Sequence, residues 1–208
     1  MKSLLVIGAG GHARPVISTA KLTGLWKICG VLDTTFHGQP ELILEVPVLG
    51  GLEKLSKFSS TDVCVIIAIG DNFQRGKIFD VVKKRKFDLT NVTHPSAIID
   101  PTAKLGYGNY IGAFAHIGPE TIIGDGNIIN TFTNIDHEVK IGNYNQIAPS
   151  AVVCGRSFIG NHAFVGASAT ILDNLSIADR TTIGAGSVIV KKIVEPGKTF
   201  LGIPGKEI

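Results

Sequence analysis

From Ile99 to Ile189 every sixth residue is aliphatic, sixteen positions in one register with no insertion between them. The residue after each is usually small or an Asx, as at Gly106, Gly112, Gly118, Asn130, Asp136, Gly142 and Gly166. The fourth residue after it is usually small, an Asn or β-branched, as at Ala103, Ala115, Thr121, Val139 and Ala151. A period of six matches neither the 3.6 of an α-helix nor the simple alternation of an isolated strand. Short flat strands joined by tight turns satisfy it, wound into a parallel β-helix whose successive coils bury one aliphatic residue per strand. The small residue is expected to let the corner turn, because Gly and Asn tolerate the necessary backbone angles.

The chain has 208 residues, 44% of them hydrophobic, which suits two modest domains. A net charge of +3 is slight, and the basic run in Val82-Lys83-Lys84-Arg85-Lys86 reads as a solvated helix face, so a nucleic-acid partner is not expected. The longest apolar run, Val63 to Ile69, is too short to span a membrane. Met1-Lys2-Ser3 leads straight into a strand-like stretch, so no secretory leader is expected. Cys29, Cys64 and Cys154 have neither paired nor metal-type spacing. A cytoplasmic protein with free thiols fits these features.

The first 95 residues read as a half-size, Rossmann-like α/β domain. Ser3 to Ile7 is a buried strand, Gly8-Ala9-Gly10-Gly11-His12 a glycine turn, Ala13 to Leu22 a helix, and Ile28 to Leu32 a second strand ending in Asp33. Such a unit brings backbone N–H groups and a helix N-terminus together at Gly10, Gly11 and His12, which suits a phosphate, while Asp33 is placed to accept hydrogen bonds from a ribose or base. His12 and Asp33 also admit plainer readings, as a helix cap and a turn former. Trp26 reads as a core residue or an inter-domain contact rather than a stacking platform. A third strand runs through Asp62 to Ile69, and Gly70-Asp71-Asn72 opens another helix; Gly70 and Asn72 join the expected substrate contacts. Gly8 to Ala13 matches the dinucleotide fingerprint G-x-G-x-x-G/A. A domain this short holds one mononucleotide unit, so a single nucleotide is the better fit than a dehydrogenase cofactor.

His137 lies two places after the inward Ile135 and two before Val139, which puts it at a corner with its ring outward. Nothing in the repeat requires a histidine there. An imidazole titrating near neutrality can take the proton of an amine or hydroxyl as it attacks a thioester, and a carboxylate on its other nitrogen would fix the tautomer.

Taken together, Gly8-Ala9-Gly10-Gly11-His12, Ala68-Ile69-Gly70-Asp71-Asn72, Asn130-Thr131, Asp136-His137-Glu138 and the tail Gly202-Ile203-Pro204-Gly205-Lys206 resemble the bacterial sugar acetyltransferases of the hexapeptide-repeat family. The branch is that of sialic acid O-acetyltransferases and nucleotide-amino-sugar N-acetyltransferases. The resemblance implies a left-handed parallel β-helix of about five coils, three hexapeptides per coil, over residues 96–193. It further implies a tail, 194–208, contributing to the CoA site, a homotrimer, and direct transfer from acetyl-CoA without metal or acyl-enzyme. Position by position it makes His137 the general base and Glu138 its orienting carboxylate, with Asp136 as rival. Gly155 supplies a backbone N–H to the oxyanion, Ala167 and Ala185 border the pantetheine arm, and Lys191, Lys192, Lys198 and Lys206 are candidates for the CoA phosphates, each also readable as a solvated lysine. Gln146 stands where the family often has a second histidine near the catalytic centre; it can position an acetyl group or acceptor but cannot carry a proton. The implied acceptor is the amine of a nucleotide-linked 4-amino-4,6-dideoxy sugar, with O-acetylation of sialic acid or another sugar as the alternative. A non-catalytic scaffold is the reading of another class. A zinc site is disfavoured because His116, His137 and His162 fall at different corners.

Overall fold

The computed structural model describes residues 2–36, 38 and 41–208; Met1, read above as leading into the first strand, lies outside them. The chain divides into two compact units, 1–95 and 96–208.

In the first unit β1 (Lys2–Ile7), α1 (Ala13–Thr23), β2 (Trp26–Leu32), β3 (Leu42–Ile43), β4 (Val46–Gly50), β5 (Val63–Ile67), α2 (Asn72–Lys84) and β6 (Asp88–Leu89) follow in order. The sheet runs β3-β4-β2-β1-β5-β6. It is parallel except for the β3–β4 hairpin at its edge. Leu4, Leu5, Val6 and Ile7 are fully buried, as a central parallel strand covered on both faces requires. The chain leaves β1 to one side through α1 and returns to its other side at β5, so the loops after β1 and β5 flank a topological switch point, where open α/β sheets bind ligands. The hairpin, a 3-10 helix at Leu52–Lys57 and β6 have no counterpart in the sequence reading. Trp26 is half-buried on β2, and Lys83 to Lys86 are exposed.

The second unit is a parallel β-helix of two-residue strands. Strands eighteen residues apart pair in parallel, Tyr110 with Ile128, His116 with Asn134 and Ile122 with Lys140, so each coil crosses three faces. The aliphatic residues line one continuous interior from Ile111 to Ile189, nearly all inaccessible to solvent, joined by Ala115, Ala151 and Ala163. Beside them a ladder of Asn109, Asn127 and Asn145 is buried, each side chain accepting from the backbone N–H one coil on.

The corners correct one expectation. None of Gly106, Gly112, Gly118, Gly142 or Gly166 has a positive φ. They are small because the next coil lies against them: a Cβ at Gly112 would sit 2.6 Å from the Thr131 nitrogen, and one at Gly166 2.5 Å from that of Ala185. The left-handed conformation falls two residues later. Every sixth residue from Gly108 to Gly186 adopts φ between 55° and 69°, and most are not glycine, Phe114, Glu138 and Arg156 among them. Each such non-glycine costs roughly 1–2 kcal/mol. Hydrogen bonds between coils offset that cost, Glu138 N–H donating to the Pro119 carbonyl and Arg156 N–H to that of His137.

Candidate active site

The corner between the face carrying Asn134–Ile135 and the face carrying Lys140–Ile141 holds His137, half-exposed, on a turn closed by its own backbone N–H, which donates to Asp136 Oδ1 at 2.8 Å. The αL turn at Glu138 folds that carboxylate back, so that Oε2 lies 2.9 Å from His137 Nδ1. Glu138 is thus the carboxylate on the ring, and Asp136 braces the main chain. Arg156 Nε donates to the same Oε2 at 3.1 Å. These two bonds, Arg156 first, hold the Glu138 carboxyl below its ordinary range. The far side of the imidazole faces Gly155, where a Cβ would stand 2.6 Å from Nε2. The Gly155 carbonyl accepts from Asn174, whereas its N–H meets no acceptor among the described residues. Nδ1 is therefore engaged by a carboxylate, Nε2 is directed to the other side, and an open backbone donor lies beside it. Such a corner can accept a proton and steady a nascent oxyanion. A groove of about 880 Å³ runs along the adjoining face, with Glu120, Glu138, Arg156, Lys140 and Phe158 in its lining.

Ala167 and Ala185 are exposed and lie one coil apart at a different corner, where Gly186 N–H donates to the Ala167 carbonyl. The tail closes beneath them: Gly202 N–H donates to Ser187 Oγ and Gly205 N–H to the Val188 carbonyl. Lys206 and Lys191 are exposed, whereas Lys198 is held by Glu207 and Glu195. Gln146 lies elsewhere within the single chain. Its strand pairs with Ile128–Ile129 and Phe164–Val165, on the face opposite the His137 corner. Nine residues are half of an eighteen-residue coil, so within one chain Gln146 and His137 stand on opposite sides of the prism.

In the first unit Gly8 to His12, Asp33 to Thr35 and Ala68 to Asp71 enclose a cleft of about 490 Å³. Gly8, at φ 113°, is demanded by β5, since a Cβ there would lie 2.8 Å from the Ala68 carbonyl oxygen. Gly10 and Gly11 border open space and lead into the N-terminus of α1, an arrangement suited to an anion. Thr35 Oγ1 donates to Asp33 Oδ2. Gly70 lines the cleft, but the Asn72 side chain is directed away from it, accepting from Arg75 Nη2 at 2.6 Å in a buried position. Asp71, which caps α2 by accepting from the Gln74 N–H, and Gln74 itself line it instead. Arg75, 1% exposed, also holds the Ile69 and Gly70 carbonyls at 2.9 Å. Sequence reasoning missed it, although its spacing places it on the inward stripe with Ile78, Phe79 and Val82.

His12 takes the N-cap position without a side-chain capping bond. Burial first, and the Arg75 charge second, push its imidazole from 6.5 down to about 4. The unfolded chain then binds a proton below pH 6.5 that the folded chain accepts only near pH 4. His12 therefore leaves stability intact above pH 6.5 and erodes it as pH falls toward 4. Urea unfolding of the full chain is expected to lose up to about 2 kcal/mol from this group between pH 7 and pH 5. A His12→Asn variant should lack that share of the loss; equal losses in both proteins would refute the assignment.

No group of three His, Cys, Asp or Glu among the described residues could hold a metal ion, and no helix is long and apolar enough to cross a membrane. Residues 3–82 match the PglD N-terminal domain family, and 156–191 match the bacterial transferase hexapeptide (six repeats) family. The whole chain superposes on 97% of a mutant of perosamine N-acetyltransferase from Caulobacter crescentus in complex with CoA and GDP-perosamine, at 30% identity and a TM-score of 0.94. It also superposes on 99% of the acetyltransferase domain of PglB from Neisseria gonorrhoeae FA1090 in complex with acetyl coenzyme A, at 30% identity and 0.92. UDP-N-acetylbacillosamine N-acetyltransferase of Bacillus subtilis (strain 168) is 30% identical over 117 residues, which are 54% of this chain and 52%, about half, of that relative. With full-length likeness to such structures, the β-helix is of the left-handed kind. The chain belongs to the hexapeptide-repeat family of nucleotide-amino-sugar N-acetyltransferases.

Proposed function

We propose that this protein transfers the acetyl group of acetyl-CoA to the amine of a nucleotide-linked 4-amino-4,6-dideoxy sugar, with His137 as general base. The observation that carries the reading is the His137 corner, where Glu138 occupies Nδ1 and Gly155 lies against the opposite edge of the ring. The amine attacks the thioester carbonyl, a C–N bond forms, and His137 Nε2 takes the amine proton. The oxyanion is met by the Gly155 N–H, the C–S bond breaks, and the proton passes to the departing sulfur, so no acyl-enzyme is needed. Glu138 holds the ring in the tautomer that leaves Nε2 open. The glycine turn and α1 N-terminus receive the diphosphate, and Asp33 accepts from the nucleoside. Ala167 and Ala185 let the pantetheine arm approach, and Lys191 and Lys206 meet the CoA phosphates.

The same reading makes the protein a cytoplasmic homotrimer. Its support is the distribution of the site over separate corners: packing about a threefold axis would bring the Gln146 face of one copy toward the His137 corner of another, where the amide can orient acetyl group or acceptor. The deciding experiment is a thiol-release screen of acetyl-CoA with UDP-, dTDP- and GDP-linked 4-amino sugars and with free sialic acid. Release with an amino sugar supports the reading, release with sialic acid alone makes this an O-acetyltransferase, and no release with any of them favours a non-catalytic scaffold. Within the active pair, Asp33→Ala is expected to raise the acceptor KM about tenfold and leave the acetyl-CoA KM unchanged; the opposite pattern would move the nucleotide away from the first unit's cleft.

A further inference from the structure

We propose that Arg156 is a positioning residue for proton transfer at His137, clamping Glu138 on the imidazole and sharing that carboxylate's charge. The inference rests on the reading of His137 as base. Arg156 stands eighteen residues after Glu138, one coil on, in the same αL corner position, with φ of 58° against 57°. Its backbone N–H donates to the His137 carbonyl at 3.0 Å, and its Nε donates to Glu138 Oε2 at 3.1 Å. The same oxygen faces His137 Nδ1 at 2.9 Å. One residue therefore holds both the main chain of the base and the side chain that orients it.

The chemistry follows from that shared oxygen. A carboxylate alone on Nδ1 stabilises the imidazolium, and a base that is already protonated is idle. A guanidinium on the same oxygen weakens this pull while keeping the hydrogen bond that fixes the tautomer. The other charged or titratable groups around the corner are differently disposed. Asp136 is bonded to the His137 backbone N–H, Glu120 and Lys140 border the groove, and Asp173 lies near Cys154 in the following coils. Glu138 pairs with His137 and Arg156.

The test follows the ring directly and the reaction in parallel. The His137 ring nitrogens are titrated by NMR in the acceptor-free protein, and kcat/KM is measured against pH, for wild type, Arg156→Met, Arg156→Lys, Glu138→Gln and the Glu138→Gln/Arg156→Met pair. Arg156→Met is expected to move the titration midpoint and the acid limb up by about half a pH unit or more. Its rate should be lower at pH 7 by the factor that shift dictates, at most about threefold for half a unit, recover by pH 9, and leave the acetyl-CoA KM within twofold. Arg156→Lys should restore part of the shift, and in the Glu138→Gln background the shift should shrink to less than half. An unmoved midpoint, an equal shift without Glu138, or a raised acetyl-CoA KM with no shift would each overturn the proposal. Because the titration needs no turnover, a failure of the proposed acetylation and a failure of this inference give different results.

Discussion

His137→Ala is expected to lower kcat at least 100-fold while leaving the acetyl-CoA KM within about twofold. General-base catalysis contributes roughly 100- to 10,000-fold, and a group that acts only as the amine gives up its proton contributes nothing to donor capture. The surroundings support so specific a loss. The half-exposed ring borders the solvent, its main chain is held by Asp136 and Arg156, and removing it opens no cavity in the dry interior formed by Ile135, Val139 and Val153. The Glu138 carboxyl, held low by Arg156 and His137, stays ionised on the ring and keeps Nδ1 engaged. Steady-state thiol release with the amino-sugar acceptor measures the effect. Turnover within tenfold of wild type would remove His137 from the chemistry.

The β-helix was legible because its determinant is one-dimensional. A dry triangular column needs an aliphatic residue at a fixed interval, so Ile99 to Ile189 declare both the fold and its length. The conformational demand of the corners was harder to read. Small residues after each aliphatic position suggested the turn itself, but they answer to the coil below, and the αL ladder is carried by residues as large as Phe114 and Arg156. Glu138 illustrates the consequence. Alternation along a strand would point it away from His137, and only the left-handed turn, invisible in a glutamate, brings the two together. The place of Gln146 within the single chain follows from the coil length, since nine residues amount to half a coil. Arg156 was available in principle, since opposite charges eighteen residues apart share a corner in consecutive coils. In the first unit the glycine turn and Asp33 were readable as local chemistry, whereas helix phase buries Asn72 and Arg75 together, which proximity to Gly70 does not reveal.

Gly155→Ala is expected to lower kcat by about 10- to 100-fold with the fold intact, nearly as damaging as a small substitution next to a catalytic base can be. The added methyl would lie 2.6 Å from His137 Nε2 and 2.7 Å from Cε1, distances no carbon can keep. The β-helix backbone is held by hydrogen bonds on both sides of the corner, Cys154 N–H to the Ile171 carbonyl and Asn174 N–H to that of Gly155. The imidazole must therefore yield, either swinging Nε2 off its line or parting from Glu138. Alanine keeps the backbone N–H, so any loss reports displacement of the ring and not removal of the oxyanion donor. That distinction fixes the form of the test. If the methyl acts by spoiling the base, His137→Ala/Gly155→Ala should be no slower than His137→Ala alone, a complete failure of additivity between two residues that share one function. A double variant slower by the full product of the two single effects would mean that Gly155 contributes independently, and a Gly155→Ala protein with more than half the wild-type kcat would mean that Nε2 does not take the proton from the position it occupies.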